Sequence, residues 1–579
     1  MFDFGYEKND NNSLFNQIKD SNLINMGTVQ NYIPLYTKFF DINQSNYNSF
    51  NIRHRYILSS IENRINEHVY SIKIMDKQSK NNNLIKKDTF IKFGGLYDPV
   101  KYLCGKYSKK PIINDTFLNC PKLVTDTEIN TNTPDYYFNS VYTDSFFSYL
   151  SSQLLIEHKF PNALEFYGSF TGIKNKFYFN GYEDFSYIRN YTYFLNNKDK
   201  LFKMESDYAE YLLNSDTRCN KKPLSFKTMQ SNISIASINE LEYDNIFETE
   251  KTEKTDNLPN KNDSNIDPLT EKNLVFNYNL TTKSKSSVST NSTCSSSSSN
   301  TQSDDGDMEE GSENSYSSSS CSTNSENKFD IIINEFPCNI IFLEKLDNTL
   351  DNLLSDEELS EQELASILCQ VVFTLIVYQK CYKFIHNDLH TNNIMYNKTT
   401  REFLYYQYNK KVYKIPTFGK IFKIIDFGRS IYTFKGVKCV SDCFSQIGDA
   451  ATQFNIEPYV NSNKPIIEEN FSFDLCRLAC SLYDFVISDD EKENINSNVC
   501  ELVREWTNDD KGRNILYKKN GDERYPEFKL YKMIVRTVHN HLPEEQVEKQ
   551  VFQQYVTPKK RINKSTKIFN IDDLPDYSV

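Results

Sequence analysis

Residues 284–325 read SKSSVSTNSTCSSSSSNTQSDDGDMEEGSENSYSSSSCSTNS, within a polar stretch running from about Asn214 to Asn327. Such a segment cannot bury enough apolar surface to offset the entropy of fixing its backbone. It is expected to be disordered, so the chain must build its folded part from two separated pieces. The segment also accounts for a hydrophobic fraction of only 38% over 579 residues, which is low for a wholly globular chain. Its acidic centre, Asp304–Glu310, makes the flanking serines candidates for phosphorylation. An inert expansion of AT-biased coding is the other reading.

The two flanking pieces carry different patterns. Before the insert, HVYSIKIM (68–75) and DTFIKFGGLYDP (88–99) read as strands joined by a polar turn. DSFFSYLSSQLLIEHKFP (144–161) has apolar residues at helical spacing and stops at a proline, and NALEFYGSFTG (162–172) resumes a strand-like pattern. After the insert, FPCNIIFLEKL (336–346) reads as a buried strand. A long helix follows over 361–382, with Leu364, Ile367, Leu368, Val371, Val372, Leu375 and Ile376 at three- and four-residue steps. Strands at 394–396 and 420–425 flank a hairpin, EFLYYQYNKKVYKIP (402–416), and beyond Phe471 the pattern is helical. The expectation is an α+β chain, β-rich first and α-rich second.

Directly behind the long helix stands HNDLHTNN (386–393), with an aspartate and an asparagine five apart, Asp388 and Asn393. Thirty-eight residues after Asp388, the apolar strand of KIFKIIDFGRS ends in Asp426-Phe427-Gly428. A capping or turn role is open to each of these residues singly. As an ordered pair they resemble the catalytic loop and DFG turn of protein kinases, and the extended forms TFIKFGGLYDPVKYLCGKY and YKIPTFGKIFKIIDFGRSIY look like divergent protein kinases of giant DNA viruses.

The resemblance covers roughly 68–172 and 330–540. It implies a two-lobed protein-kinase-like fold with a β-rich N-lobe, an α-rich C-lobe and a disordered serine-rich insert. The boundaries it suggests are an N-terminal extension or lobe start at 1–67, N-lobe at 68–213, insert at 214–328, lobe end and hinge at 329–345, and C-lobe at 346–579. It further implies ATP and Mg²⁺ as cofactors and transfer of the γ-phosphate to Ser/Thr hydroxyls of a protein substrate. Asp388 stands at the position of the proton acceptor, Asn393 and Asp426 at the metal ligands, and Lys92 of TFIKF at the phosphate-gripping lysine. Glu344, Lys345 and Leu346 stand at the adenine-contacting hinge, His386 at a packing position, and Asp474 at the aspartate that braces the loop backbone. Phosphoryl transfer asks little covalent work of a protein and mostly needs positioned charge, which this oxygen-rich set could supply.

Four departures carry information. No glycine stands between Gly27 and Gly94, so a Gly-rich phosphate loop is missing. The glutamate expected to pair Lys92 is not evident: Ser151 stands at its usual distance, and Glu157 is the nearest acid on that helix. Asn387 replaces the arginine that receives an activation-loop phosphate, which implies activity without that phosphorylation. His390 replaces a lysine, giving Asp-Leu-His as in haspin-type, aminoglycoside and choline kinases; it would contact the γ-phosphate as a partly charged or neutral donor. No APE motif is evident beyond IEPY (456–459). A small-molecule kinase and a pseudokinase scaffold are therefore the competing readings.

Other classes are disfavoured. A net charge of −12 argues against nucleic-acid binding. The longest apolar stretch, around Ile367–Tyr378, is expected to be too short and interrupted to span a bilayer, and MFDFGYEKNDNN lacks a secretory pattern, so an intracellular setting is expected. Thirteen cysteines without a CxxC pair read as reduced, mostly buried thiols; Cys476 with Cys480 and Cys439 with Cys443 lack histidines at zinc-site spacing.

Overall fold

The two pieces meet inside one antiparallel sheet. Its strands are β1 (Met26–Gln30), β2 (Tyr56–Arg64), β3 (Val69–Asp76), β4 (Leu84–Gly95), β5 (Phe166–Asn180), β6 (Phe202–Met204) and, after the serine-rich segment, β7 (Asp330–Glu344). The order is β1-β5-β7-β4-β3-β2, so β7 lies between two strands that precede the insert, with β6 on the part of β7 that β4 leaves open. Met204 pairs with Ile331, so the chain leaves the sheet beside the point where it returns. Closure cost grows only with the logarithm of loop length, so a long segment between such neighbouring ends costs little more than a short one. The computed structural model describes residues 2–79, 83–107, 119–123, 133–182, 184–204, 329–487 and 497–579; the serine-rich segment and its expected disorder lie outside the described residues.

Helix α1 (Ser140–His158) starts four residues before the expected position, because the Asn139 side chain caps it by accepting from the Val141 amide. It ends where Lys159 turns into the left-handed region, φ 64°. The strand expected to reach residue 99 stops at Gly95, since Asp98 caps a short helix, Pro99–Leu103. β5 runs on to Asn180 instead of 172 because β7 pairs with it along its length.

Helix α2 (Glu361–Tyr382) has the expected bounds, fixed at its start by a reciprocal capping box between Ser360 and Glu363. By length and composition it could cross a bilayer, contrary to the expectation that the run is too short, but most of it is buried inside the protein. Strands β8 (Ile394–Lys398), β9 (Phe403–Tyr408), β10 (Lys411–Pro416) and β11 (Lys420–Ile424) follow, with β9 and β10 paired as the expected hairpin and β8 paired with β11. Asn409 and Lys410 at the hairpin tip both have positive φ, as a two-residue turn of this hand requires. Helices α3 (Phe473–Val486) and α4 (Lys529–Thr537) belong to the helix-rich remainder. The fold is thus α+β. One continuous apolar core runs from α1 and β7 through α2 to the β8–β11 region. The ten described cysteines are free thiols and nine are buried.

Candidate active site

Lys92 lies on β4 opposite Ile341 of β7. Two residues on, Gly94 lets α1 pack directly on the strand: a Cβ there would stand 2.2 Å from Val141 Cγ1. One helical turn past Val141, this closeness brings Asp144 to Lys92, with Nζ 2.7 Å from Asp144 Oδ2 and 2.9 Å from Asp426 Oδ1. The other oxygen of Asp144 accepts the Phe427 amide at 2.8 Å, tying α1 to the Asp426 turn. Burial pushes the Asp144 carboxyl up, against the pull of Lys92. For Asp426 burial acts the same way, but Lys92 outweighs it and holds the carboxyl below its ordinary value.

Asp144 is therefore the acid that pairs Lys92, and the earlier candidate is corrected. Glu157 is exposed near the helix end, while Ser151 faces inward and bonds the Tyr378 hydroxyl at 2.7 Å. The signal for Asp144 lay in Asn139, whose capping role starts the helix early and turns Asp144 toward a glycine-bearing strand.

The 386–393 loop is held from behind by Asp474, near the start of α3. Its carboxylate accepts the amides of His386 at 2.8 Å and Asn387 at 2.9 Å, and burial raises its pKa to about 6 against those donors. His386 Nε2 bonds the Ile425 carbonyl at 2.8 Å, so it braces the segment leading into Asp426. Asn387 sits at φ 64°, a conformation asparagine tolerates better than arginine, and donates to the Arg429 carbonyl at 3.1 Å.

Pairing of β8 with β11 sets Asn393 beside Ile425, one residue from Asp426. The Asn393 amide nitrogen lies 2.9 Å from the Asp388 carbonyl and 3.1 Å from His390 Nε2. His390 thus accepts on Nε2 as the neutral form; burial pushes its pKa down to about 4 despite nearby Asp388. Of the two forms expected for His390, partly charged and neutral, this geometry fits the neutral one. Burial opposes ionisation of Asp388, yet the Arg429 and Arg477 guanidiniums and the Tyr531 hydroxyl hold it well below the carboxylate range.

Pattern reading missed these partners of Asp388. Arg429 follows the Asp-Phe-Gly turn and bonds Asp449 at 2.6 Å. Arg477 lies on α3 and Tyr531 on α4, 143 residues from Asp388 in sequence, and no spacing rule links them to the loop.

Next to β4, where the His68 carbonyl accepts the Ile91 amide at 2.7 Å, the turn between β2 and β3 holds Ile65, Asn66, Glu67 and His68. Asn66 Oδ1 accepts the amides of His68 at 3.0 Å and Val69 at 2.8 Å. A glycine-rich turn would offer such amides to an anion; here a side chain takes both. At the end of β7, the Glu344 amide donates to Glu165 O at 3.0 Å, and its carboxylate pairs Lys423 and accepts from Asn397. Lys345 is exposed and Leu346 buried. Within IEPY, Ile456 packs in the core beside Phe473.

No family model matches the chain. Over 74 residues it is 40% identical to a provisionally named serine/threonine-protein kinase of Acanthamoeba polyphaga mimivirus, covering 12% of this chain and 19% of that protein. Over 124 residues it is 32% identical to serine/threonine-protein kinase haspin of Mus musculus, and equally to that of Bos taurus, covering 20% of this chain and 15% of each haspin. The chain spans less than a fifth of the length of these relatives. These partial matches support a protein-kinase-like relationship.

Proposed function

We propose that the protein is a Mg²⁺- and ATP-dependent kinase that transfers the γ-phosphate to Ser/Thr hydroxyls of a protein substrate. The sheet-rich and helix-rich parts would be the two lobes of a protein-kinase-like fold. The observation that carries the reading is the Lys92 ammonium held between Asp144 at 2.7 Å and Asp426 at 2.9 Å, with Asp388 and Asn393 on the adjoining loop. Lys92 would grip the nucleotide phosphates. Asp388, ionised at working pH, would accept the hydrogen bond and finally the proton of the substrate hydroxyl. His390 would approach the γ-phosphate as a neutral donor through Nδ1. Lys345 and Leu346 would offer backbone groups to the base, and Glu344 would fix the segment from behind.

The residues fit a magnesium ion. Asn393 commits its amide nitrogen to the protein, leaving its oxygen for a cation, and Asp426 is kept ionised by Lys92; both are hard oxygen donors. When bound, magnesium would neutralise phosphate charge. Among the described residues no cluster of three or more His, Cys, Asp or Glu offers a further metal site.

The arginine missing from position 387 has a counterpart in Arg429. It contacts the site's Asp388 at 3.9 Å and the exposed carboxylate of Asp449 at 2.6 Å. A carboxylate built into the chain there supports activity without activation-loop phosphorylation.

The test is transfer of radiolabelled phosphate from ATP to generic protein substrates and to small amino alcohols. Asp388→Asn should abolish transfer and leave the melting temperature within a few degrees; undiminished turnover would refute the assignment. Labelling of amino alcohols alone would identify a small-molecule kinase. The Asn66 turn, whose amides are already taken, favours a second reading as a pseudokinase scaffold, which predicts no thermal shift with Mg-ATP.

A further inference from the structure

We infer that Tyr531 is a positioning residue for Asp388, its hydroxyl pinning one carboxylate oxygen so that the other is presented to the substrate; the inference rests on the kinase reading above. The Tyr531 hydroxyl stands 2.7 Å from Asp388 Oδ1, and Arg477 Nε donates to the same phenol oxygen at 2.9 Å. A phenol has a single proton. With Arg477 donating to the oxygen, that proton is directed at Asp388.

The fixed orientation opposes a specific competitor. Arg429 Nε lies 3.9 Å from Asp388 Oδ2, too far for a hydrogen bond but close enough to attract the carboxylate strongly in a buried setting. Released from Tyr531, the carboxylate could rotate into a direct pair with Arg429 and lose its aim at the substrate. A reacting group held at one angle supplies the orientational part of catalysis in advance.

The surroundings make Tyr531 a fixture and not a removable plug. It is 7% exposed, stacked on Phe528 with ring centroids 5.3 Å apart, and packed against Phe473 at 6.0 Å. The guanidinium of Arg477 lies 5.1 Å from the ring centre. Burial also raises the phenol pKa to about 12, so the hydroxyl keeps its proton throughout the working pH range.

Steady-state kinetics of Tyr531→Phe, which keeps the ring and its packing, test the inference against wild type and Asp388→Asn. The expected result is a kcat lowered about tenfold to a hundredfold, the range for losing a hydrogen bond to a charged group. KM for ATP and for the protein substrate should stay within about twofold of wild type, as expected when only transition-state positioning is lost, with little change in melting temperature. Arg477→Met should lower kcat in the same sense, because the phenol proton is then no longer directed. An unchanged kcat in Tyr531→Phe overturns the inference, and a raised kcat overturns it in favour of an autoinhibitory contact. A KM rise with kcat unchanged overturns it in favour of a binding role. If wild type transfers no phosphate to any substrate, the kinase reading itself fails, and the wild-type control separates that outcome from the others.

Discussion

At the scale of single residues, the site is a problem of shared charge. One lysine stands between a buried and a half-buried carboxylate, and the neighbouring Asp388 stands near two guanidiniums. Asp144→Asn should weaken phosphate transfer about tenfold or more, since a charge-assisted hydrogen bond to Lys92 is lost, whereas Glu157→Gln should leave it unchanged. Comparing the two variants in one transfer assay checks the assignment. A second residue, His54, reports on pH. Its ring bonds the Tyr56 carbonyl at 2.8 Å and Ser152 Oγ at 3.0 Å, and burial pushes its pKa down to about 4. The unfolded chain then binds the proton and the folded one does not between about pH 6.5 and 4. Stability from this group is present above pH 6.5 and lost as pH falls through that window, by on the order of 3 kcal/mol. Urea unfolding at pH 7 and pH 5 should therefore show a larger loss for wild type than for His54→Asn.

At the scale of elements, the decisive contact is α1 against β4. Gly94→Ala would gain a little by restricting the unfolded chain, roughly 0.4–1 kcal/mol. It would also force a Cβ within 2.2 Å of Val141 Cγ1, and overpacking of this kind costs about 1–3 kcal/mol. The clash wins, so Gly94→Ala should destabilise the protein and weaken nucleotide binding, because the helix carries Asp144. Pairing it with Val141→Ala should recover part of the loss, and denaturant midpoints of the single and double variants would measure the coupling. The bounds of α2 and the hairpin within 402–416 were legible from local pattern, since their causes, a capping box and a two-residue turn, lie within a few residues. The start of α1 was not. Its Asn139 cap precedes the apolar run by several residues, and the run alone suggested position 144.

At the scale of the whole molecule, both ends of the described chain pack behind α1. Tyr577 stacks on Tyr382 at 5.6 Å, meets Phe2 at 5.0 Å and bonds His158 at 2.6 Å. Its backbone bonds Cys381 and Lys435, joining the end of α2 to the segment after Asp426. Tyr577→Ala should cost about 3 kcal/mol or more, the scale for removing a buried aromatic ring, and thermal unfolding with and without Mg-ATP would show whether the loss reaches the site. The loop residues Asp388, Asn393 and Asp426, the brace Asp474 and the lysine Lys92 could be singled out from sequence because each stands in a short run of characteristic order. Asp144, Arg429, Arg477, Asp449 and Tyr531 belong to no such run. Local periodicity and capping are written in neighbouring residues, so the alternation of strands and helices and the place of the serine-rich segment follow from the chain alone. Which acid meets Lys92, and what surrounds Asp388, depends on the close approach at Gly94 and on helices folded back from far along the chain. Long-range packing alone sets those distances and the burial that tunes the charges.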